Sequence, residues 1–313
     1  MFSSELWQKP KGGFSTELTT KGIIAWGANG NTVNATSFNT RNLISNTGVV
    51  AADASGVGTT RWASAGATYS DDKGIFFGGL PPASGGQDVT NLVSNSGVVA
   101  SDTTMVGNSN YGAGGSRFGG TKAIFCFGYD DDISAATNTS RIVNDNGVVG
   151  SEVSGVGTAR YQMTGGVNYG GDKAVVWGGL ETTNWQTLAV SNLISNTGVV
   201  SSDTSAVGTG RTAFASATYG EDKGIFGFGQ LASGDNSGLT NLVSNTGAVA
   251  SNTAAVGSAR RGPGACGYGS DKGIFSFGSP AVTNLVSNSG VVASDVTQVG
   301  NAYWYRSGLG YSN

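Results

Sequence analysis

One motif, repeated six times at nearly constant spacing, constrains the fold of this chain more than any other feature. It is a lysine, a small residue and a β-branched residue, then an apolar stretch that ends in glycine six positions after the lysine. The six lysines are Lys21, Lys73, Lys122, Lys173, Lys223 and Lys272. The steps between them are 52, 49, 51, 50 and 49 residues. A fixed period of this length indicates an array of equal structural units.

A second motif, similar to NLVSNTGVVASD, follows the first in every unit, and a Val-Gly pair closes the unit. From the first residue of this second motif to the closing glycine the distance is 16 residues in all six units. Between the two motifs, in contrast, 14, 11, 12, 12, 11 and 5 residues intervene. One loop per unit therefore varies, while the rest of the unit is a constant frame.

Each unit predicts four short antiparallel strands and no helix. Its apolar residues are mostly β-branched or aromatic, without a sustained 3.6-residue period. An Asn-Thr-Gly or Asn-Ser-Gly sequence marks a tight hairpin between the third and fourth strands in most units. Six such units predict an all-β fold, a six-bladed β-propeller of four-stranded antiparallel blades. A parallel β-helix, the rival architecture, needs coils of about 20 residues, which the long period does not favour.

The two ends of the chain share one unit. The segment that precedes the lysine in other units is missing before Lys21, and a similar segment stands at residues 303–313. We therefore expect residues 303–313 to complete the first blade and close the ring, so that the propeller spans residues 21–313. Residues 1–20 lie outside the repeat and are predicted to be an N-terminal arm, which either caps the ring or docks into a neighbouring protein. Docking is favoured because six repeats already close without the arm.

Composition excludes several classes of function. The chain has no histidine, which excludes a Ser-His-Asp triad and an imidazole metal site. A net charge of −3 argues against nucleic acid as a partner, and no apolar run is long enough for membrane insertion. No secretory signal is visible. We expect no enzymatic activity, no cofactor and no metal.

Two further sets of residues are predicted to be structural. Cys126 and Cys266 fall in opposite units, too far apart for a disulfide, so two free buried thiols are expected. One aromatic residue ends the first strand of each unit and is expected to pack between neighbouring blades. These residues are Tyr69, Phe118, Tyr169, Tyr219, Tyr268 and Tyr311.

The repeats resemble two groups of proteins. An arginine before the first strand and an apolar strand that ends in glycine resemble Kelch repeats, although most units lack the usual double glycine. The unit DKGIFGFG and segments similar to LTNLVSNTGVVASD, followed by sequences such as VGTAR, resemble more closely the repeat arrays of structural proteins of tailed bacteriophages, particularly aquatic phages. This resemblance, over residues 21–313, implies a virion protein made in the host cytoplasm. It implies a tail fibre, another tail part or a capsid decoration, present in multiple copies, that attaches to a host surface or assembles with other virion proteins.

The candidate binding residues follow the closing glycines, where arginines and aromatic residues recur. They are Arg61, Trp62, Tyr111, Arg160, Tyr161, Arg211 and Trp304. We expect them to share one face with the variable loops. They either bind an acidic glycan or a partner protein, with arginines as anion clamps, or the arginines tie adjacent blades by bonding carbonyls, which their regular repetition favours.

The variable loops supply three further candidates, Tyr129, Asp131 and Trp185. Asp130, Asp131 and Asp132 place three carboxylates in a row, which either bind Ca²⁺ or form a solvated acidic turn. Their spacing differs from that of an EF-hand loop and favours the turn. Trp185 is either an exposed interface residue or folds back onto its blade.

Two alternative functions remain open beside the virion protein. One is a bacterial cell-surface lectin or adhesin, and the other is a polysaccharide-active enzyme built on the propeller. The Asp boxes of sialidases, Ser-x-Asp-x-Gly-x-Thr-Trp, are absent from the sequence, so the enzyme is the least favoured.

Overall fold

The computed structural model describes residues 19–30, 35–82 and 85–312. In these ranges every regular element is a β-strand and no helix occurs, as the sequence predicts. The 21 strands form six antiparallel sheets, which we number I to VI. The predicted N-terminal arm, residues 1–20, lies almost entirely outside the described residues.

The six sheets take their strands in chain order, except that the last strand joins sheet I. Sheet I contains β1 (Lys21–Ala28), β2 (Ser37–Ile44) and β21 (Ser307–Tyr311). Sheet II contains β3 (Ala65–Tyr69), β4 (Lys73–Phe77), β5 (Val89–Val93) and β6 (Thr103–Thr104). Sheet III contains β7 (Asn110–Tyr111), β8 (Gly114–Phe118), β9 (Lys122–Asp130) and β10 (Ala135–Val143). Sheet IV contains β11 (Val167–Tyr169), β12 (Lys173–Trp177) and β13 (Ser191–Ile194). Sheet V contains β14 (Ala215–Tyr219), β15 (Lys223–Gly227) and β16 (Thr240–Val243). Sheet VI contains β17 (Gly264–Tyr268), β18 (Lys272–Ser276), β19 (Val282–Val286) and β20 (Val296–Thr297).

The lysine motif forms a central strand in every sheet, and its lysine stands at the strand's first position. In β4, for example, Lys73 is half-buried and the four residues after it are buried. A strand buried on both faces reads as a continuous apolar run instead of an alternating one, which explains the Ile-Phe-Phe type of sequence. The sequence therefore places these strands correctly.

The predicted fourth strand is wrong as a regular element in most units. The VVASD-type segment makes an isolated bridge to the third strand, such as that between Ile44 and Val50. Main-chain pairing continues beyond it, because Ala54 and Arg41 form a second bridge, but the register is shifted by one residue, as in a β-bulge. Within this irregular stretch Asn42 Nδ2 donates to the carbonyl of Ala51 at 3.0 Å. The short strands β6 and β20 follow this segment in sheets II and VI.

The last strand of the chain pairs with the first. β21 is antiparallel to β1, with Lys21 opposite Tyr311 and Ala25 opposite Ser307. Sheet I therefore contains strands from both ends of the described chain.

In each sheet one strand pairs with the central strand on the side away from the third strand, and we call it the first strand. It is β21 in sheet I and β8 in sheet III. These first strands also contact one another between sheets. β3 contacts β21 and β8, β11 contacts β8 and β14, and β17 contacts β14 and β21. Main-chain bonds cross between sheets as well: the amide of Gly119 donates to the carbonyl of Asp172 at 2.7 Å. The sheets thus pack through their first strands, where small residues allow close approach.

The aromatic residues that end the first strands are buried between sheets, in agreement with the expectation from the sequence. Tyr69 of sheet II lies against Gly147 of sheet III, where an added Cβ would be 2.8 Å from the phenol oxygen. Tyr311 of sheet I lies in the same way against Gly97 of sheet II. Both glycines have positive φ in hairpin turns, so the turn and the packing each require glycine.

The described residues include no helix of the length and apolarity needed to cross a membrane.

Candidate functional site

Short main-chain pairings bring the segment before each first strand beside the start of the variable loop. Trp62 bridges Leu80, Tyr161 bridges Leu180 and Trp304 bridges Ala28. In sheet III the pairing is longer, and β7 sets Tyr111 opposite Tyr129 of β9. Candidates from the post-glycine segments and from a variable loop therefore lie at the same end of the sheets.

Aromatic side chains converge at this end. Trp62, Tyr111 and Trp304 are partly buried and pack against a buried cluster of Ala63, Ala213 and Tyr305. We call the set of Trp62, Tyr111, Tyr129, Tyr161, Trp304 and Tyr305 the aromatic face. Its ring centroids lie 4.9 Å apart for Trp62 and Tyr305, 5.1 Å for Tyr111 and Tyr129, and 5.2 Å for Tyr129 and Tyr161. Tyr161 is mostly buried among these neighbours.

The backbone beneath the aromatic face has a fixed, unusual conformation. Ala63, Ala213 and Tyr305 have φ of 53°, 48° and 54°, in the left-handed region that costs a non-glycine residue about 1–2 kcal/mol. Hydrogen bonds between sheets hold it: the amide of Gly112 donates to the carbonyl of Ala63 at 2.7 Å, and that of Gly262 to Ala213 at 2.7 Å. The aromatic residues beside these positions are held in place before any ligand arrives.

The three candidate arginines are not at the surface, which corrects their interpretation as anion clamps. Arg61, Arg160 and Arg211 are fully buried. Their guanidinium groups donate to side-chain oxygens of asparagines on the third strands of their own sheets. These asparagines are Asn91, Asn192 and Asn241. A fully desolvated guanidinium that is already bonded cannot meet a ligand from solvent.

Each buried arginine also stacks on an aromatic ring of the preceding sheet. The guanidinium carbon lies 4.2 Å from the ring of Trp26 for Arg61 and 3.9 Å from that of Phe127 for Arg160. Cation–π stacking of this kind is strongest when water is excluded. Arg160 Nε also donates to the carbonyl of Gly178 at 2.8 Å. The stacking contacts cross between sheets and correspond to the alternative interpretation, in which the arginines tie adjacent units, whereas the bond to Gly178 lies within sheet IV.

Burial sets the acidity of these arginines. Desolvation lowers the pKa of Arg61 to about 10, although the nearby charge of Asp102 acts to raise it. Desolvation also lowers the pKa of Arg160 and of Arg211 to about 10. All three remain protonated at neutral pH, so the stacking cation is maintained.

Sequence comparison of the units missed Arg306. The residue three positions after the last closing glycine is Tyr303, but Arg306 supplies the guanidinium in sheet I. Its Nη1 donates to Asn42 Oδ1 at 2.8 Å, and its guanidinium carbon lies 3.9 Å from the ring of Phe277. The only signal in the sequence was an arginine displaced by three residues within YWYRS.

Sheet III reverses the arrangement of the other sheets. The position of the arginine holds Asn110, and the position of the asparagine holds Arg141. Arg141 is buried, lies 5.7 Å from the ring of Phe77 in the preceding sheet, and pairs with Glu152 at 3.4 Å. In sheet III the buried guanidinium therefore comes from the third strand, whereas in the other sheets it comes from the segment before the first strand.

The two remaining loop candidates lie in different surroundings. Trp185 is 66% exposed at the tip of a turn closed by a bond from the Glu181 amide to the Gln186 carbonyl, so it does not fold back onto its sheet. Asp131 is partly exposed beside Asp130, whose Oδ1 accepts from the amide of Asp132 at 3.0 Å. The described part of the chain contains no group of three or more acidic or cysteine side chains arranged to hold a metal.

The thiols are buried and isolated. Both Cys126 and Cys266 are free. Desolvation raises the pKa of Cys126 to about 12, although the charge of Arg160 acts to lower it, and desolvation also raises the pKa of Cys266 well above its usual range. Neither sulfur is a thiolate at neutral pH, so neither is a nucleophile.

The first strands line a narrow cavity of about 80 Å³. Its lining is mostly glycine, alanine, serine and threonine, together with Arg117. The guanidinium of Arg117 pairs with Asp71 and donates to the carbonyl of Gly120. This charge is engaged within the protein.

Comparison with known proteins finds similarity in structure and none in sequence families. No protein-family model and no curated protein matches this chain. The solved structure of YjhT is similar, with a TM-score of 0.59 over 80% of this chain and 87% of that chain. The two chains share a fold. At 14% sequence identity the likeness extends to the fold alone and carries no function from YjhT.

Proposed function

We propose that this chain is a non-enzymatic binding module of a phage virion, a six-bladed β-propeller that attaches the particle to its host's surface through the aromatic face. The observation that carries the binding role is the convergence of partly exposed aromatic rings on a backbone fixed before binding. Rigid aromatic side chains are enriched among the residues that dominate binding energy. Side chains of this kind lose little conformational freedom when a ligand arrives.

The propeller architecture has its own support. Six antiparallel sheets repeat at a constant period, and β21 pairs with β1. The contacts between the first strands also run in a cycle. They lead from β3 through β8, β11, β14, β17 and β21 in turn, and β21 contacts β3 again. Ring closure through the last strand removes the free edge that an open array of sheets would leave. It also accounts for the repeat being divided between the two ends of the chain.

The absence of catalysis is proposed from the chemistry of the residues present. The chain has no histidine. Its thiols are buried and protonated, and Arg61, Arg160 and Arg211 are buried and bonded within the scaffold. The aromatic face therefore has neither an imidazole nor a thiolate to act as a general base or nucleophile.

The virion assignment rests on the resemblance of the repeats to phage structural proteins. The constant frame with one variable loop per unit supports it, because such a frame lets a binding surface diverge while the scaffold is retained. We expect the chain in multiple copies, held by other virion proteins.

Antibody labelling of purified particles, viewed by electron microscopy, tests the virion assignment. Label at a fixed place on the particle is expected, and purified chain added to susceptible cells should reduce phage adsorption. Label on uninfected cells and none on particles would overturn the proposal in favour of a bacterial adhesin. Product release from a polysaccharide panel by the wild-type chain would contradict the non-enzymatic role.

A further inference from the structure

We propose that the aromatic face binds an uncharged oligosaccharide, whose sugar rings stack on Trp62, Trp304 and Tyr111. This inference rests on the proposed function, because it names the ligand of the same surface. It replaces the acidic glycan, one of the alternatives from the sequence, since the arginines on which that alternative depended are buried.

The surface offers stacking positions that are close but separate. Trp62 and Trp304 both pack around Tyr305, and Tyr111 belongs to the same cluster. Each of the three rings is partly buried, so one part is held by the protein while another remains in contact with solvent. An aromatic ring fixed in this way presents an apolar surface to the C–H groups of a pyranose ring. Several such rings together suit a chain of sugars better than a single one.

The distribution of charge favours an uncharged ligand. The repeat lysines stand at the start of the central strands, whereas the aromatic face lies beyond the other end of those strands. Lys73, for example, begins β4, and the bridge of Leu80 with Trp62 lies past its end. At the aromatic face itself, the cation of Arg261 is stacked 4.6 Å from the ring centre of Trp304, and Asp131 adds a partly exposed carboxylate. This balance provides no concentration of positive charge to attract a polyanion.

The tyrosines argue against a cationic ligand held in an aromatic cage. The rings of Tyr111, Tyr129 and Tyr161 lie 5.1 to 6.0 Å from one another, in contact, and leave no gap between them for a quaternary ammonium group. Polar groups adjoin the aromatic residues instead. Gln162 follows Tyr161, and Gln230 lies opposite Thr212, and both side chains are partly exposed. Gln230 Nε2 already donates to the carbonyl of Gly234 at 2.7 Å, which leaves its amide oxygen to accept from sugar hydroxyls.

Binding of defined oligosaccharides to the full chain tests the inference. The probes are neutral glucan, mannan, galactan and chitin oligosaccharides, with uronic-acid oligosaccharides and choline as competing chemistries. We expect a neutral oligosaccharide to bind and to change the tryptophan fluorescence. Trp62→Ala and Trp304→Ala should each weaken binding about tenfold or more, whereas Trp62→Phe should retain most of it.

Two controls separate loss of binding from loss of folding. Val199→Ala truncates an exposed residue in a hairpin turn away from the aromatic face and should leave binding unchanged. Thermal unfolding of each variant should match that of the wild type to within a few degrees. A tryptophan variant that melts normally and still binds at full strength would overturn the inference.

The remaining outcomes distinguish this inference from the proposed function. Binding of uronic-acid oligosaccharides or choline alone, or of no neutral probe, overturns the sugar assignment. If the purified chain then still blocks adsorption, the attachment role stands with a different ligand, such as a protein. If a neutral oligosaccharide binds but the chain is absent from particles, the sugar assignment stands and the virion role falls.

Discussion

Arg306 donates a hydrogen bond from Nη1 to Asn42 Oδ1 at 2.8 Å, across 264 residues of chain. The same guanidinium donates through Nε to the carbonyl of Trp26 at 2.8 Å and stacks on Phe277 of sheet VI. One side chain near the C-terminus thus joins the other strands of sheet I and the neighbouring sheet. Burial lowers its pKa to about 9, so it is still charged at neutral pH.

Replacing this arginine should therefore destabilise the fold strongly. Arg306→Ala leaves Asn42 Oδ1 without its partner and opens a cavity, and we expect the free energy of unfolding to fall by about 3 kcal/mol. Lys73→Ala, which removes an exposed ion pair with Asp72 at 3.8 Å, should cost less than about 1 kcal/mol. Urea unfolding measures both, and equal losses in the two variants would contradict the role given to Arg306.

Removing the last strand should expose the edge of β1. A chain without residues 303–313 loses β21, including the buried Leu309 and Tyr311. We expect its Tm to fall by at least about 10 °C, because several kcal/mol of burial and strand pairing disappear. A synthetic peptide of residues 303–313 should restore part of the loss when added in excess. If the truncated chain melts like the full chain, the proposed ring closure is wrong.

The reversed pair in sheet III predicts strong coupling between two positions. Asn110→Arg places a second buried cation near Arg141 and should cost about 3 kcal/mol or more. Arg141→Asn alone removes the stacking cation and its pair with Glu152.

The double variant, Asn110→Arg with Arg141→Asn, restores the arrangement found in the other sheets. Its unfolding free energy should exceed the additive expectation by at least about 2 kcal/mol. Additive losses in a double-mutant cycle would show that the two positions do not replace each other.

Asp102 predicts a stability difference that depends on pH. Burial acts to raise its pKa, but hydrogen bonds from Thr59 and Asn91 and the charge of Arg61 hold the pKa below its usual range. A lowered pKa in the folded state stabilises the protein above the ordinary pKa of 3.8, and this stabilisation disappears as the pH falls through the folded value.

Asp102→Asn should therefore lower the unfolding free energy by about 1 kcal/mol at neutral pH. The difference from the wild type should be constant down to about pH 5 and shrink below pH 4. Asn252 stands at the equivalent place in sheet V, and its Oδ1 accepts from the amide of Thr209 at 3.1 Å, so the variant is expected to fold. A difference that persists unchanged at low pH would exclude the carboxylate as its cause.

The buried thiols should be unreactive in the folded protein. A raised pKa means that the protonated thiols of Cys126 and Cys266 stabilise the fold below the ordinary value of 9.0, and that this contribution is lost as the pH rises above 9.0 toward the raised pKa of each folded thiol. A thiol reagent at about pH 8 should label neither cysteine until guanidinium chloride unfolds the chain. Rapid labelling of either cysteine under native conditions would contradict their burial.

Much of the fold could be predicted from the sequence, because it is set by local patterns that repeat. The lysine motifs became central strands, the Asn-Thr-Gly sequences became hairpins, and Tyr69 and its equivalents became packing residues between sheets. The fourth strand was predicted wrongly as a regular element, because its register with the third strand shifts by one residue between the bridges Ile44–Val50 and Arg41–Ala54. Propensity alone does not reveal such a β-bulge.

The candidate site divides in the same way. The sequence by itself determined that arginines and aromatic residues recur beside the variable loops, and that Cys126 and Cys266 have no histidine to activate them. Only the tertiary structure decided which of these side chains face solvent. It buries Arg61 against the ring of Trp26 and the side chain of Asn91, and it brings Arg306 into the same kind of position from three residues further along the chain. The physical reason is that burial depends on contacts between sheets far apart in sequence, whereas a repeat records only which residues occupy equivalent places.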